Sequence, residues 1–305
     1  MRVNEPLVKR EFSQSDYEKL TVCPWCNSKE SEQWGEDDEP YNTVMCRGCG
    51  LVYVNYRLNA NGRDKYYRNY YSEEHQAVPE AKVRSDMYQL EFDFIFNYIQ
   101  TGKVLDVGCS GGEFLTYFQD SGLDCYGVEL AKDASQIAQL KFGNKIINKS
   151  LLDADFNEEF DLIVFRGTVE HIPDAKETLV KAVSLLKKKQ KAYIYITSTP
   201  NIESVSAEIF KTYWTQHLPE EHIYHFKRKH FDDLFSEHGL TSLASQYFYE
   251  ETPYAEVEED ILKVAEAIKL KRANKEITFK SPPFYGNMMS LVYCTESIKY
   301  SWPCR

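Results

Sequence analysis

The sequence predicts an α/β protein built on a doubly wound, mostly parallel sheet, with a small module on four cysteines in front of it. Three observations carry this prediction. From Lys103 onward, short β-rich runs alternate with helical segments, the pattern of βαβ units around a parallel sheet. A small-residue turn, "VGCSGG", sits at the first of these strand-to-helix junctions. Upstream, Cys23-x2-Cys26 and Cys46-x2-Cys49 form two hooks nineteen residues apart.

The elements follow in order. Residues 1–58 carry the hooks and read as short strands and knuckle turns. Residues 59–100 form an aromatic-rich connector, in which "KVRSDMYQLEFDFIFNYIQ" places Met87, Leu90, Phe94 and Tyr98 on one helical face. Residues 101–245 hold the alternating core: "KVLDVGC", "DCYGVEL", "KIINKS", "FDLIVFRG" and "AYIYITST" are strands, with helices at "GGEFLTYFQDSG", "AKDASQIAQLKFG" and "DAKETLVKAVSLLKK". "KRKHFDDLFSEHGL" then reads as a helix capped by Gly239, and "TSLASQYFYE" as a strand. Residues 246–305 add an amphipathic helix, "EVEEDILKVAEAIKLKRA", and a last strand, "NMMSLVYCTE"; this helix is either a substrate lid or plain decoration of the fold.

Composition excludes several classes. With 47 acidic against 36 basic residues the formal charge is -11, which opposes nucleic-acid binding because phosphate neutralisation needs a basic surface. The two basic runs, "KKKQK" and "FKRKHF", read as solvated turns or helix ends. No apolar run approaches the roughly 18 residues of a membrane span, and "MRVNEPLVKREF" lacks the apolar segment of a signal peptide. The expectation is a cytoplasmic protein with no membrane partner, and an oligomeric state that the sequence leaves open.

The hooks match a closed four-thiolate zinc site at Cys23, Cys26, Cys46 and Cys49. The alternatives are two reduced thiol pairs or a redox dithiol, but "CPWC" lacks the strand-to-helix setting that would activate it. Four thiolates leave no open coordination position, so the expected role of the metal is structural, and chelation is expected to unfold the module without directly abolishing chemistry elsewhere. Cys109, Cys125, Cys294 and Cys304 lack metal spacing and read as ordinary thiols.

The glycine turn carries the strongest functional signal. It places a ligand at the carboxyl end of the first strand, and Glu129, about 20 residues further on, ends the next strand where a carboxylate accepts hydrogen bonds from ribose hydroxyls. Together these call for a nucleoside cofactor. Asp106 beside the turn would be a poor neighbour for a pyrophosphate and a good one for a cation, which disfavours NAD and favours S-adenosylmethionine.

From Lys103 to about Leu240 the chain resembles the class I S-adenosylmethionine-dependent methyltransferases. "LDVGCSGGEFL" resembles their first motif, "GVEL" their ribose motif, and "FDLIVFRGTVEHIPD" their fourth-strand motif, in the same order. The resemblance implies a seven-stranded Rossmann-like sheet preceded here by a zinc ribbon. It implies that Gly108 and Gly112 frame the cofactor loop, with Ser110 where the family more often has glycine. Asp106 would orient the methionine end, Glu129 bind the ribose, Leu151 and Leu152 flank the adenine, and Arg166 and Gly167 line the methionine portion.

On the acceptor side, methyl transfer to a hydroxyl needs a base near neutral pH, and histidine suits it. Six of the seven histidines lie at or after residue 171. His222, in "WTQHLPEEHIYHF", is the first candidate base and His171 the second, with capping or loop bonding as the bland alternative for either. His217 and His225 fall in the same run; His75, His230 and His238 look peripheral. Pro200 and Asn201 either shape the acceptor pocket or make a simple turn, and Tyr66, Tyr67, Tyr70 and Tyr71 either wall the pocket or pack. The expected function is O-methylation of a small polar acceptor such as a sugar or nucleotide-linked sugar. The alternatives are C-methylation of a nucleotide sugar, and a non-catalytic ribbon adaptor with a degenerate nucleotide-binding domain, whose acidic "EQWGEDDEPY" loop tolerates protein partners.

Overall fold

The computed structural model describes residues 11–67 and 78–295; Tyr70, Tyr71, His75 and Cys304 lie outside them. Strands β1 (Tyr17–Lys19), β2 (Ser31–Gln33), β3 (Asn42–Cys46) and β4 (Val52–Leu58) form an antiparallel sheet in the order β1-β4-β3-β2. A fifth strand comes from far along the chain: β10 (Tyr224–His225) pairs with β4, with Tyr224 opposite Tyr53 and His225 opposite Val52. The two hooks sit in tight turns, with Asn27 and Gly50 at φ 60° and 76°.

The chain leaves β4 into α1 (Ala60–Tyr67), and α2 (Val78–Phe96) then leads to the second sheet. Its strands are β5 (Lys103–Val107), β6 (Asp124–Val128), β7 (Ile146–Ile147), β8 (Leu162–Arg166), β9 (Tyr193–Pro200), β11 (Leu240–Gln246) and β12 (Met288–Thr295), in the order β11-β12-β9-β8-β5-β6-β7. Pairing is parallel from β9 to β7 and antiparallel at β11 and β12. This is the doubly wound, seven-stranded arrangement the sequence predicts. The unbroken apolar run of β8 is buried from Leu162 to Phe165, as a strand covered on both faces requires. Helices α3 (Glu113–Asp120), α4 (Lys132–Phe142), α5 (Ala175–Ser184) and α7 (Arg228–Glu237) cover the sheet. The first two strand-helix units grow from β5 toward β7 and the later ones from β8 toward β9, so the switch point, where such sheets open a ligand crevice, lies at the carboxyl ends of β5 and β8.

The cysteine module does not have a core of its own. Cys23, Val44, Cys46, Leu51 and Tyr53 belong to the cluster that contains Leu105, Phe165, Phe226 and Phe231. Trp34 and Val52 join a second cluster with α6 (Val205–Phe210), Trp214 and α8 (Val257–Arg272). The C-terminal amphipathic helix α8 therefore packs, through Val264 and Ala267, beside the module. Its acidic first turn (Glu258, Glu259, Asp260) and basic last turn (Lys269, Lys271, Arg272) complement the helix dipole. No helix among the described residues is long and apolar enough to cross a membrane.

Candidate functional site

At the end of β5 the backbone turns sharply: Gly108 and Gly112 have φ of 77° and 80°. A Cβ on Gly108 would lie 2.6 Å from the Thr168 side chain, and one on Gly112 would lie 2.6 Å from the Phe142 ring, so both positions require glycine on two counts. Ser110 also has positive φ, 50°, which explains physically why glycine suits this place. Glu129 is committed to the loop: its two oxygens accept the backbone N–H groups of Ser110 at 2.9 Å and Ala131 at 2.7 Å. Burial pushes its pKa up.

Asp106 is 3% exposed, and its Oδ1 has no hydrogen-bond partner. Burial pushes its pKa up to about 7, with Arg166 acting in the opposite direction. Arg166, the last residue of β8, donates from Nε to Glu91 Oε2 at 2.6 Å and lies 4.2 Å over the Tyr88 ring. Its terminal nitrogens make no hydrogen bond among the described residues. A buried carboxylate with an open oxygen and a guanidinium with open donors thus flank the switch point, a pairing suited to the ammonium and carboxylate of an amino acid. Gly167, at φ 54°, donates its N–H to Thr197 O. Leu151 is buried in the core, so its side chain is packing; the exposed apolar side chains of the neighbouring loops are Leu152 and Leu130.

The same edge carries the two candidate bases. His171 ends a single turn after β8, and His222 lies before β10. Their rings meet edge to face with centroids 4.9 Å apart. One oxygen of Glu170 and one ring nitrogen from each histidine lie within 4.8 Å of one another. Glu170 is 1% exposed, and burial pushes its pKa up to about 8, which favours the protonated form. His222 Nδ1 faces the Gln216 carbonyl at 2.7 Å and must donate to it, which leaves Nε2 bare. Burial lowers its pKa, and that of His171 further. Tyr67 hydrogen-bonds His171 Nδ1 at 3.0 Å, and Tyr66 donates to Glu221, so both tyrosines belong to this site. Asn201 is a structural turn residue, donating to Gly286 O and accepting the N–H of Glu203.

The four hook cysteines come together. Cys23 and Cys49 sulfurs are 3.7 Å apart, Cys26 and Cys46 3.5 Å, and all four lie within 4.8 Å. A tetrahedral zinc with bonds of about 2.3 Å sets sulfurs about 3.8 Å apart, so the residues fit that ion. His230 is not peripheral: its Nε2 contacts the Cys49 carbonyl at 3.2 Å and its ring packs on Trp25. His238 is exposed, as expected. Cys109, Cys125 and Cys294 are buried free thiols.

A family model for a methyltransferase domain matches residues 64–245, more than half of the chain. The chain belongs to this methyltransferase family. Among curated proteins it is similar to the ubiquinone biosynthesis O-methyltransferases of Chromobacterium violaceum, 32% identical over 118 residues (36% of this chain, 50% of that one), and of Nitrosospira multiformis, 33% identical over 117 residues (35% and 49%). The chain thus spans about half the length of the curated relatives it matches. The solved structure of the Burkholderia thailandensis 1,6-didemethyltoxoflavin-N1-methyltransferase, with its acceptor and S-adenosylhomocysteine bound, aligns over 87% of this chain and 99% of that one, with a TM-score of 0.50 and 12% identity. That likeness concerns the fold. The matched family segment begins inside α1, so the cysteine module lies outside it. Sequence reasoning missed Glu91, whose partner Arg166 is 75 residues distant and which leaves no local signature; Glu170 stood in the "VEH" string as a neighbour only.

Proposed function

We propose that the chain is an S-adenosylmethionine-dependent methyltransferase acting on a hydroxyl oxygen of a small polar acceptor, with zinc in the four-cysteine site as a structural ion. The observation that carries this reading is the meeting, at one sheet edge, of the Asp106–Arg166 pair with the bare Nε2 of His222. The names of the curated relatives support oxygen as the methylated atom. A sugar or nucleotide-linked sugar is the acceptor class we put first, because the side chains that converge on the acceptor side (Tyr67, Glu170, His171, His222) are polar.

When bound, S-adenosylmethionine supplies an electrophilic methyl group. The loop from Gly108 to Gly112 admits its backbone-close portion, Asp106 and Arg166 hold the amino-acid end, and Glu129 takes the ribose while bracing the loop. Leu152 and Leu130 offer apolar cover for the adenine. His222 Nε2 receives the acceptor proton as the oxygen attacks, and Glu170, in its protonated form, can donate a hydrogen bond to a second acceptor oxygen. The protein's main contribution is placement at attack distance, with general-base help worth about 10²- to 10⁴-fold.

Calorimetry with S-adenosylmethionine, then incubation with methyl-labelled cofactor and a panel of nucleotide sugars, free sugars and phenols read by mass spectrometry, tests the proposal. We expect cofactor binding and label on oxygen. His222→Ala should lower turnover about 10²-fold or more and leave cofactor affinity intact; if turnover is unchanged, the base moves to His171. No cofactor binding, or unchanged binding in an Asp106→Ala/Glu129→Ala double variant, would sink the enzyme reading in favour of a ribbon adaptor. A methyl group found on carbon would replace the O-methylation reading.

A further inference from the structure

We infer that Asp37, on the acidic loop of the cysteine module, is a positioning residue for His222, so that the module sets the proton-accepting form of the base. This rests on the assignment of His222 above. The loop "GEDDEP" reads as solvated charge, and Glu36, Asp38 and Glu39 are indeed exposed. Asp37 is turned inward: its side chain is 1% exposed, its Oδ1 lies 2.5 Å from His217 Nε2, and its Oδ2 accepts the Thr43 N–H at 2.5 Å. A ring nitrogen so placed against a carboxylate carries a proton.

His217 is clamped from the other side as well. Its Nδ1 pairs with His225 Nε2 at 3.2 Å, and His225 is held in β10 opposite Val52 of β4. Its ring lies against Trp34, centroids 5.2 Å apart, and its backbone N–H bonds Trp214 O at 2.9 Å. The residue before it is Gln216, whose carbonyl accepts the Nδ1–H of His222. Holding His217 therefore holds the carbonyl that selects the His222 tautomer with a free Nε2 lone pair. The other groups facing His222 are His171, Glu170, Glu221 and His225. None of them bonds Nδ1. Without Asp37 the His217 ring would lose its carboxylate partner and keep the contacts to His225 and Trp34, the 216–217 peptide would be held by its N–H bond to Trp214 O without the ring clamp, and His222 could carry its proton on Nε2, where it accepts nothing.

The test uses the full-length, zinc-loaded protein labelled with 15N-histidine. In Asp37→Ala we expect the His222 ring signals to move from the Nδ1–H to the Nε2–H form, and kcat to fall about 10- to 100-fold while cofactor Kd stays within about twofold. Asp37→Asn, which keeps an oxygen acceptor for His217, should restore most of kcat and the Nδ1–H form. His217→Gln attacks the same clamp from the body side and decides the matter should Asp37→Ala fail to fold. Wild-type tautomer and kcat in the folded Asp37→Ala or His217→Gln protein, beside an inactive His222→Ala, would overturn the inference alone. Wild-type kcat in His222→Ala would overturn the assignment of the base instead.

Discussion

The glycine loop and the cysteine module are both built from tight turns, and they are held by opposite means. The loop is braced by its own surroundings: Gly108 N–H to Val128 O at 2.9 Å, Gly112 N–H to Cys109 O at 2.9 Å, Ser110 N–H to Glu129, all over a buried parallel sheet. The module has a three-residue strand β2 with partly exposed residues, knuckles that converge on four sulfurs, and an edge completed by a strand from the body. The loop should therefore outlast the module under stress, while the module's failure should reach the acceptor side through β10 and His217. The sequence-based expectation is that chelation would not directly abolish the transfer machinery; the strand that follows His222 is a member of the module's sheet, which offers an indirect route to it.

The largest expected effect breaks the comparison from the module's side. Zinc in small cysteine sites contributes apparent binding energies of about 10–16 kcal/mol. Chelation, or Cys46→Ser, should abolish metal binding and reduce turnover to background, while calorimetry still finds cofactor binding within about threefold of wild type. Loss of cofactor binding together with the metal would show that the two regions are one cooperative unit.

The next effect comes from the loop. Gly108→Ala meets both a φ that L residues rarely adopt and the Thr168 side chain, and should cost about 3 kcal/mol in urea denaturation. Glu129→Ala removes the acceptor of two backbone N–H groups and should weaken cofactor binding about 10- to 100-fold, with no change in bound zinc measured by atomic emission.

A subtler effect follows from Asp106. Its pKa, pushed from 3.8 up to about 7, means that the folded protein holds a proton the unfolded chain has released. The stability from this group is full below about pH 4 and is lost as pH rises toward 7. A ligand ammonium favours the ionised carboxylate, so cofactor Kd should tighten about tenfold per pH unit below 7 and level off above it, whereas Asp106→Asn should show a flat profile by calorimetry. The smallest effect has the opposite sign: Ser110→Gly relieves a positive-φ residue and should stabilise the fold by up to about 1 kcal/mol.

Much of the site was legible because its signals are local. The cysteine hooks, the turn from Gly108 to Gly112 and the strand-end Glu129 depend on spacing within one or two elements, and the alternation of strands and helices predicted the sheet. His171 and His222 were named from residue type and position at the ligand edge, but their meeting was not readable, since 50 intervening residues separate them. Leu151 was named from the family resemblance together with Leu152, and the structure shows its side chain in the core while that of Leu152 is exposed. His230 looked peripheral because its partner, the Cys49 carbonyl, lies 181 residues away.

By itself, then, the sequence determined the layered α/β architecture, the pairing of the four hook cysteines and the glycine turn at the first strand-to-helix junction, all of which follow from spacing, backbone conformation and hydrophobic period over short stretches. Tertiary structure alone decided that β10 completes the module's sheet, that Glu91 holds Arg166 from 75 residues away, and that Asp37 reaches His217 across 180. The reason is physical: a buried charge must find a partner wherever packing brings one, and packing is settled by the whole fold rather than by neighbours in the chain.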